Sequence, residues 1–286
     1  MQKILLTGST GFVGFNILKK LIKKNKVFIV LRKKKNNKLN KLSKKNIKII
    51  YYKNPNQLNR SLKKIKADIV IHCATHYIKK HNFNDIKKLS ESNIVFGNII
   101  LENARNMKVK KFINFSTVWE DYNGIQNNYA NLYSAYKKAF GILLNHYENN
   151  NSKIKFYNIL LTGTFGSNDK RIKLINVLKT NFKKNKISKI VSKKLIINLL
   201  NIKDVVYAVE ILLNKQIKPG KYVLKNNKNF SINDLISKFN LINKKKIKIQ
   251  WLSTKVIKER FFNYKILPNW SPKLSKINNV VENIKD

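Results

Sequence analysis

The chain of 286 residues is poor in several features, and each shortage excludes a class of protein. A single cysteine, Cys73, excludes an internal disulfide framework and a cysteine-rich zinc site, so we expect no metal and a reducing, cytoplasmic compartment. No apolar run approaches the roughly 18 residues of a membrane-spanning helix. The first segment carries one lysine and soon becomes glycine-rich, so we do not expect a signal peptide.

Acidic residues are also scarce: 14 Asp and Glu stand against 60 Lys and Arg, which gives a formal net charge of +46. Such a charge is typical of proteins that bind nucleic acids or membrane surfaces. Only 5 of the cations are Arg, the residue that reads bases, whereas 55 Lys are spread along the whole chain beside 43 Asn. We interpret the charge as compositional and expect neither a nucleic-acid nor a membrane partner. A basic nucleic-acid-binding protein is the alternative from another class.

Alternating strand and helix patterns make up the first half of the chain. Residues 3–7 and 26–31 are short apolar strands on either side of an amphipathic helix at 12–24, and such a βαβ unit builds a parallel sheet. The pattern continues with strands at 46–52, 67–74, 110–116 and 154–161 and helices at 56–65, 89–107 and 133–148. Later elements are a helix at 172–183, strands at 195–200 and 221–224, a helix at 202–214, and another that begins at Ser231. The sequence therefore predicts an α/β fold.

Three glycines lie between the first strand and the first helix, at Gly8, Gly11 and Gly14. Glycines there let the backbone turn tightly and approach a pyrophosphate, and the helix N-terminus adds N–H groups and a positive dipole. The alternative is an ordinary glycine-rich turn. In this strand–turn–helix context the spacing predicts a dinucleotide-binding site.

The second strand ends at Leu31-Arg32-Lys33, where NAD-binding domains usually place an acid for the ribose 2′-hydroxyl. An arginine there suits a 2′-phosphate, so NADP is favoured over NAD. In so basic a chain any position has a good chance of being a cation, which is the competing explanation.

Two further motifs carry hydroxyl and amine groups suited to proton transfer. Tyr133 and Lys137 are four residues apart and share one face of the predicted helix. A neighbouring ammonium favours the phenolate and so lowers the pKa of a tyrosine. Ser116 and Thr117 follow a predicted strand, at the sheet edge where open α/β folds bind ligands, and either hydroxyl is a candidate.

Together these motifs resemble the extended short-chain dehydrogenase/reductase family, the NAD-dependent epimerase/dehydratase group, nearly end to end. The resemblance rests on TGSTGFVG at 7–14, ADIVIHCAT at 67–75, the helix segment 91–104, the Ser/Thr-bearing strand 112–117, the Tyr133/Lys137 pair and PNWSPK at 268–273. Three segments (FINFSTVWEDYN, NLYSAYKKAFG and LTGTFGSNDKRIKLIN) are similar to nucleotide-sugar 4-ketoreductases of the CDP-abequose and CDP-paratose synthase type.

The resemblance implies site residues for each role. It gives the catalytic set as Thr117, Tyr133 and Lys137. It gives the cofactor contacts as Gly8, Thr10, Gly11, Phe12, Val13, Gly14, Arg32, Ala74, Thr75, Asn93, Ser116, Tyr133 and Lys137. It gives the substrate contacts as Thr117, Asp169 and Arg171.

The resemblance also implies an architecture and an activity. We expect a Rossmann-type doubly wound parallel sheet over residues 1–161, rejoined by 195–225, and a smaller C-terminal α/β substrate lobe from 162–194 and 226–286. The implied activity is NAD(P)H-dependent reduction of a nucleotide-linked 4-keto-deoxysugar for surface polysaccharides, and a 4-epimerase with tightly bound NAD is the alternative. Helices 89–107 and 133–148 would pair across a homodimer.

One departure from the family pattern bears on the reaction. Val118 and Trp119 stand where 4,6-dehydratases carry an Asp-Glu pair, and Glu120 and Asp121 follow too late in the sequence to take its place. Eliminating water needs an extra acid and base, so the sequence argues against a dehydratase.

Overall fold

A computed structural model of the chain describes residues 1–32, 39–43, 45–150 and 153–285, so Lys33 of the predicted cofactor segment lies outside the described residues. The chain divides into two compact units. The first comprises Met1–Leu160, Gln216–Val223 and Phe262–Lys265, and the second comprises Leu161–Lys215, Leu224–Phe261 and Ile266–Asp286.

The strands of the described residues are numbered in chain order. They are β1 (Lys3–Thr7), β2 (Lys26–Leu31), β3 (Ile47–Tyr51), β4 (Ile69–His72), β5 (Lys111–Thr117), β6 (Lys155–Leu161), β7 (Gly163–Phe165), β8 (Ser188–Ile190), β9 (Leu195–Ile197), β10 (Leu199–Asn201), β11 (Gly220–Leu224), β12 (Phe230–Ser231), β13 (Ile249–Trp251) and β14 (Ile257–Lys258). The helices are α1 (Phe12–Leu21), α2 (Pro55–Lys63), α3 (Phe83–Ser90), α4 (Phe96–Asn106), α5 (Leu132–Asn149), α6 (Leu174–Lys183), α7 (Ile202–Asn214), α8 (Ile232–Ile242) and α9 (Ile277–Lys285).

The central sheet has the strand order β11-β6-β5-β4-β1-β2-β3 in the described residues. The pairs β1–β2, β1–β4, β2–β3 and β4–β5 are parallel, with Ile4 opposite both Val27 and Ile69. Because the strand order reverses next to β1, the carboxyl ends of β1, β4 and β5 lie at the switch point where such sheets bind ligands. The predicted Rossmann-type parallel sheet is confirmed.

Buried aliphatic and aromatic side chains hold the helices of the first unit on this sheet. Leu5, Val70 and Phe112 from the strands share one cluster with Leu58 of α2 and Phe140 of α5. The near-continuous apolar runs of β1, β2 and β4 are what a sheet covered on both faces requires.

The predicted single helix at 89–107 is wrong in its start and in its continuity. Helix α3 already begins at Phe83, because Asn82 and Asp85 form a reciprocal capping box, in which the Asn82 N–H donates to Asp85 Oδ2 at 3.0 Å. The Asn82 side chain also accepts from the Asn84 N–H at 3.0 Å. A π-helical turn at Glu91–Val95 then separates α3 from α4. That turn carries Asn93, and π-turns are frequent at functional sites.

The second unit is built from short strands and four helices among its described residues. Strand β7 pairs with β10, β9 pairs with β12 and β14, and β8 pairs with β13. The predicted strand at 195–200 is split, because buried Asn198 interrupts it and hydrogen-bonds Thr162 at 3.0 Å and the Asn226 N–H at 2.8 Å. A separate apolar cluster, which includes Phe165, Leu235 and Val280, forms the core of this unit.

Within the described part of the chain, no helix combines the length and the apolar character that crossing a bilayer requires.

Candidate active site

The turn after β1 brings backbone unusually close to the end of β4. Gly8 has a φ of +69°, and a Cβ on it would lie 2.6 Å from the Ala74 nitrogen and from the Cys73 carbonyl carbon. Only glycine fits there. The Gly11 N–H donates to the Gly8 carbonyl at 3.0 Å, and Gly11 is the N-cap of α1, with no side chain of its own to cap the helix.

This turn fits the pyrophosphate of a dinucleotide. It offers a close backbone approach and a helix N-terminus that begins with Phe12, Val13 and Gly14. The hydroxyl of Ser9 is also buried there, without a hydrogen-bond partner in the part of the chain that the structure describes. Buried polar groups are normally satisfied, so this hydroxyl is suited to a hydrogen bond with a bound phosphate.

The loop after β4 is held in place by Asn93. Its side-chain oxygen accepts from the Thr75 hydroxyl at 2.5 Å and from the His76 N–H at 3.1 Å. Its NH₂ group donates to the His76 carbonyl at 3.0 Å and to the Leu89 carbonyl at 2.9 Å. All four hydrogen-bonding positions of this amide are therefore occupied by protein. Asn93 therefore fixes the loop that carries Ala74 and Thr75, and its expected contact with the cofactor stays a prediction.

His72 is the last residue of β4 and Cys73 follows it, and the surroundings of both side chains indicate a structural role. The His72 ring packs among Phe96, Phe112 and Phe140, and its Nδ1 lies 2.9 Å from the Thr7 hydroxyl. Burial lowers the pKa of His72 to about 3, so the imidazole is neutral at physiological pH. Desolvation raises the pKa of the Cys73 thiol, which is the opposite of what a reactive cysteine needs.

Tyr133 and Lys137 lie in the first two turns of α5, which packs against β5 and the irregular turn that follows it. The helix starts where predicted because Asn131 and Ser134 form a capping box, with the Ser134 N–H 3.0 Å from Asn131 Oδ1. The Tyr133 ring meets Tyr77 edge-on, with 5.1 Å between ring centroids. These contacts orient the phenol and leave its ring half-buried.

Lys137 is 3% exposed, which is rare for a lysine. Burial lowers its pKa to about 8, and electrostatic interactions with Glu120 and Cys73 partly oppose that shift. The amine therefore titrates close to physiological pH, and small changes around it alter its charge.

The two candidate hydroxyls at the end of β5 differ in their partners. Ser116 donates to Glu120 Oε2 at 2.9 Å. Thr117 Oγ1 instead accepts a hydrogen bond from the Trp119 N–H at 3.3 Å, so its own proton can be donated elsewhere. This difference favours Thr117 over Ser116 as the group that orients a substrate carbonyl.

Glu120 and Asp121, which the sequence left without a role, are almost completely buried, at 0% and 1% exposure. Glu120 forms an ion pair with Lys221 of β11. Asp121 pairs with Lys138 at 3.2 Å, accepts from the Asn127 N–H at 2.6 Å and accepts from the Tyr264 hydroxyl. Both acids are thus engaged, although no local sequence signal marks Lys221 or Tyr264 as their partners.

The remaining predicted residues are found in three other settings. Arg32 is exposed just after β2, and Thr10 is half-buried in the glycine turn. Asp169 and Arg171 lie in the second unit and bind each other through two hydrogen bonds of 2.7 and 2.8 Å. Arg171 also donates to the Thr164 carbonyl at 2.9 Å.

The second unit anchors its C-terminal motif on a residue outside the predicted site. The buried Asp204 carboxylate of α7 accepts from the Lys273 and Leu274 N–H groups, at 2.9 and 3.0 Å, and from the Ser275 hydroxyl at 2.6 Å. The Trp270 indole donates to the Asp204 carbonyl at 2.9 Å. The WSPK segment is therefore a structural element of this unit.

Comparison with protein families gives one match across most of the chain. The model described as the NAD dependent epimerase/dehydratase family matches residues 4–224. This range contains the glycine turn, the Asn93 clamp and the corner formed by β5 and α5.

One relative and two solved structures illustrate what this chain is similar to. A dTDP-D-glucose 4,6-dehydratase from Dictyostelium discoideum is 33% identical in an alignment 126 residues long, and this alignment covers 41% of this chain and only 29% of that protein. A UDP-N-acetylglucosamine 4-epimerase from Methanobrevibacter ruminantium, solved with UDP-N-acetylmuramic acid, has a TM-score of 0.81 at 19% identity, covering 99% of this chain and 97% of that one. A dTDP-glucose 4,6-dehydratase from Bacillus anthracis, solved with NAD, has a TM-score of 0.80 at 16% identity, covering 100% and 96%.

Proposed function

Because this chain belongs to the NAD-dependent epimerase/dehydratase family, whose members are enzymes of the extended short-chain dehydrogenase/reductase type, we propose that it reduces a nucleotide-linked 4-keto-deoxysugar at C4. The observation that carries the proposal is the engagement of both acids after Thr117. Glu120 is tied to Ser116 and Lys221, and Asp121 to Lys138, Asn127 and Tyr264. Both carboxylates are thus engaged within the protein, which argues against the extra acid and base that eliminating water needs. Net reduction and C4 epimerisation need only hydride transfer at C4 and the Thr117, Tyr133 and Lys137 set.

Three side chains divide the work at the carbonyl. Tyr133 donates its phenolic proton to the carbonyl oxygen as that oxygen gains charge. Thr117 orients the same oxygen by a hydrogen bond from Oγ1. Lys137, as an ammonium, stabilises the phenolate that remains and binds the cofactor ribose. When bound, the nicotinamide supplies the hydride.

The glycine turn and the loop clamped by Asn93 would hold the cofactor. Gly8, Gly11 and Gly14 provide the backbone approach to the pyrophosphate, and Ala74 and Thr75 line the adjoining loop. This division leaves recognition of the dinucleotide mainly to backbone groups.

We propose NADPH as the reductant, because Arg32 is exposed just after β2 where NAD-specific proteins carry an acid. Arg32→Ala should lower kcat/KM for NADPH by about tenfold, the weight of one hydrogen bond to a charged group, and leave NADH unchanged. Arg60→Ala, an exposed arginine of α2, is the control. An equal loss with both cofactors would contradict this role for Arg32.

The decisive experiment is a panel of nucleotide-linked 4-keto sugars with NADPH or NADH, followed at the nicotinamide absorbance band. A reductase oxidises cofactor stoichiometrically with sugar. Interconversion of C4 epimers without added cofactor would instead establish the alternative 4-epimerase. Formation of a 4-keto-6-deoxy product from a 6-hydroxy sugar would overturn the argument from the engaged acids.

We also propose a homodimer. Helices α4 and α5 cover the sheet, yet the π-turn before α4 exposes Val95 by 45% and α5 exposes Ile142 by 63%. Exposed aliphatic side chains of this size on neighbouring helices suit a second copy of the chain. Light scattering at low micromolar concentration should give twice the 33.5 kDa of the monomer, and a monomer there would refute the dimer.

The proposed product is a nucleotide-activated deoxysugar. Such compounds are donors for glycosyl transfer into surface polysaccharides, and we place their synthesis in the cytoplasm, where the lone thiol of Cys73 stays reduced.

A further inference from the structure

Glu120 is a fully buried carboxylate that no part of the proposed proton transfer uses. Removing a carboxylate from water is unfavourable unless partners compensate, so a buried acid needs an explanation. Its two oxygens have different partners. Oε2 accepts from Ser116 at 2.9 Å, next to Thr117, and Oε1 forms the ion pair with Lys221.

Lys221 comes from a distant part of the sequence and is held by a second segment. It lies on β11, at the edge of the central sheet, and its ammonium sits 4.6 Å from the centroid of the Tyr264 ring. The Tyr264 hydroxyl in turn donates to Asp121. Three separate stretches of the first unit therefore converge on the turn that follows Thr117.

Lys137 lies on α5, the helix that packs against the turn that carries Glu120. Two ionisable groups raise the pKa of Lys137 electrostatically: Glu120, from the turn after β5, and Cys73, which follows β4. Lys137 in turn lowers the pKa of His72, the last residue of β4. His72 is neutral, and the neighbouring Lys138 is paired with Asp121 instead. Among the described groups, Glu120 is the carboxylate that acts on Lys137.

We propose that Glu120 and Lys221 are positioning residues of the catalytic corner: the buried Glu120 carboxylate anchors Ser116 and places a negative charge in the turn on which α5 packs, and Lys221 holds that carboxylate and offsets its charge. The inference rests on the proposed role of Lys137. It makes an electrostatic prediction that a purely structural ion pair does not.

The two partners should act in opposite directions. Glu120→Gln keeps the shape and an acceptor for Ser116 but removes the negative charge, so the pKa of Lys137 should fall below about 8. Lys221→Gln removes the counter-ion and leaves the Glu120 charge less compensated, so the pKa of Lys137 should rise. Because the ammonium is the working form, activity is lost as the pH rises through this pKa.

The test measures the titration of Lys137 directly in the cofactor-free full chain. Competitive acetylation with acetic anhydride across a pH series, quantified by mass spectrometry, gives the pH of half-maximal reactivity for this lysine. We expect the midpoint to move down by about one pH unit in Glu120→Gln and up by a smaller amount in Lys221→Gln. The alkaline limb of kcat/KM should follow both shifts.

Two controls separate charge from structure. Glu102→Gln breaks an exposed ion pair with Arg105 and should leave the midpoint unchanged. Ser116→Ala removes the hydrogen bond but keeps the Glu120 charge, so it should also leave the midpoint in place. If Glu120→Gln fails to fold by circular dichroism, the upward shift in Lys221→Gln decides the question.

Shifts of the same sign in both variants, or unmoved midpoints in folded protein, would overturn the proposal. The acetylation experiment needs no sugar. If its midpoints move as expected and no 4-keto sugar is turned over, the proposed function fails while this electrostatic role stands.

Discussion

The glycine turn at residues 8–14 and the corner between β5 and α5 lie at the same edge of one sheet, yet they are built in different ways. The turn is built from backbone contacts: Gly8, at a φ of +69°, lies directly against the Cys73–Ala74 peptide, and this contact involves no charged side chain. The corner works through buried charge: Lys137, Glu120 and Asp121 are each exposed by 3% or less. The comparison shows that neighbouring residues fix the shape of the turn, whereas the buried charges of the corner are compensated by residues distant in sequence.

That difference has an energetic reason. A backbone turn is constrained by sterics within a few residues, so its requirements are met by glycine spacing alone. A buried charge must find an opposite charge or hydrogen bonds, and Glu120 finds Lys221 about a hundred residues along the chain. The turn should therefore be sensitive to added volume and the corner to altered charge or proton donors.

The largest effect should come from Tyr133→Phe in the corner. Removing the phenolic proton while keeping the ring against Tyr77 should lower turnover by about 10²–10⁴-fold, with cofactor affinity intact. Steady-state kinetics and a cofactor-binding titration provide the two readouts. Tyr136→Phe, three residues along the same helix, is the matched control, and a similar loss there would mean that the wrong tyrosine has been assigned.

Gly8→Ala should give the next largest effect. A side chain at this positive φ is strained and also overlaps the Cys73–Ala74 peptide, so we expect a loss of about 2–4 kcal/mol in the free energy of unfolding. Gly11→Ala is the control, because its Cβ would lie 3.3 Å from the nearest atom, the Gly8 carbonyl oxygen. Urea unfolding measures both. Equal stability losses would show that the close approach is not what selects glycine at position 8.

Asn93→Ala should give the smallest of the three effects, and it tests the loop that faces the glycine turn. Losing four buried hydrogen bonds leaves the Thr75–His76 loop without its clamp, which should destabilise the protein by about 1–3 kcal/mol and weaken cofactor binding. Thermal unfolding and a cofactor titration report the change. Asn98→Ala, at an exposed position of α4, is the control and should change neither the stability nor the cofactor affinity. Unaltered cofactor affinity in Asn93→Ala would show that this loop does not contribute to cofactor binding.

Sequence reasoning worked best where the signal was periodic and local. β1, β2 and α7 have the bounds that their apolar patterns predicted, and the Ser231 side chain caps α8 as expected, with the Asp234 N–H 3.2 Å from its hydroxyl. It failed at 83–88, because Phe83 and Ile86 are 86% and 40% exposed, so this turn of α3 is fixed by the Asn82/Asp85 capping box and not by a buried apolar face. It also missed α9, although Val280, Val281 and Ile284 have helical spacing there. Strands β12 and β14 have two residues each and are too short to show a period.

The same division runs through the candidate site. Glycine spacing, the Tyr133/Lys137 pair and the hydroxyls after β5 were visible in the sequence because each motif is contiguous. The partners that distinguish Ser116 from Thr117, or that bury Glu120 and Asp121, were not visible, since Lys221 and Tyr264 carry no motif and become neighbours only after folding.

The sequence by itself determined that this chain forms a parallel α/β sheet with a glycine turn at its first strand, because hydrophobic period and glycine placement act over a few residues. It also supplied the family resemblance. Only the tertiary structure decided which acids are engaged, which hydroxyl donates to a protein carboxylate and that burial lowers the pKa of Lys137. Those properties depend on burial and on distances between segments that are remote in sequence, because the energy of a buried charge depends on the groups that the fold places around it.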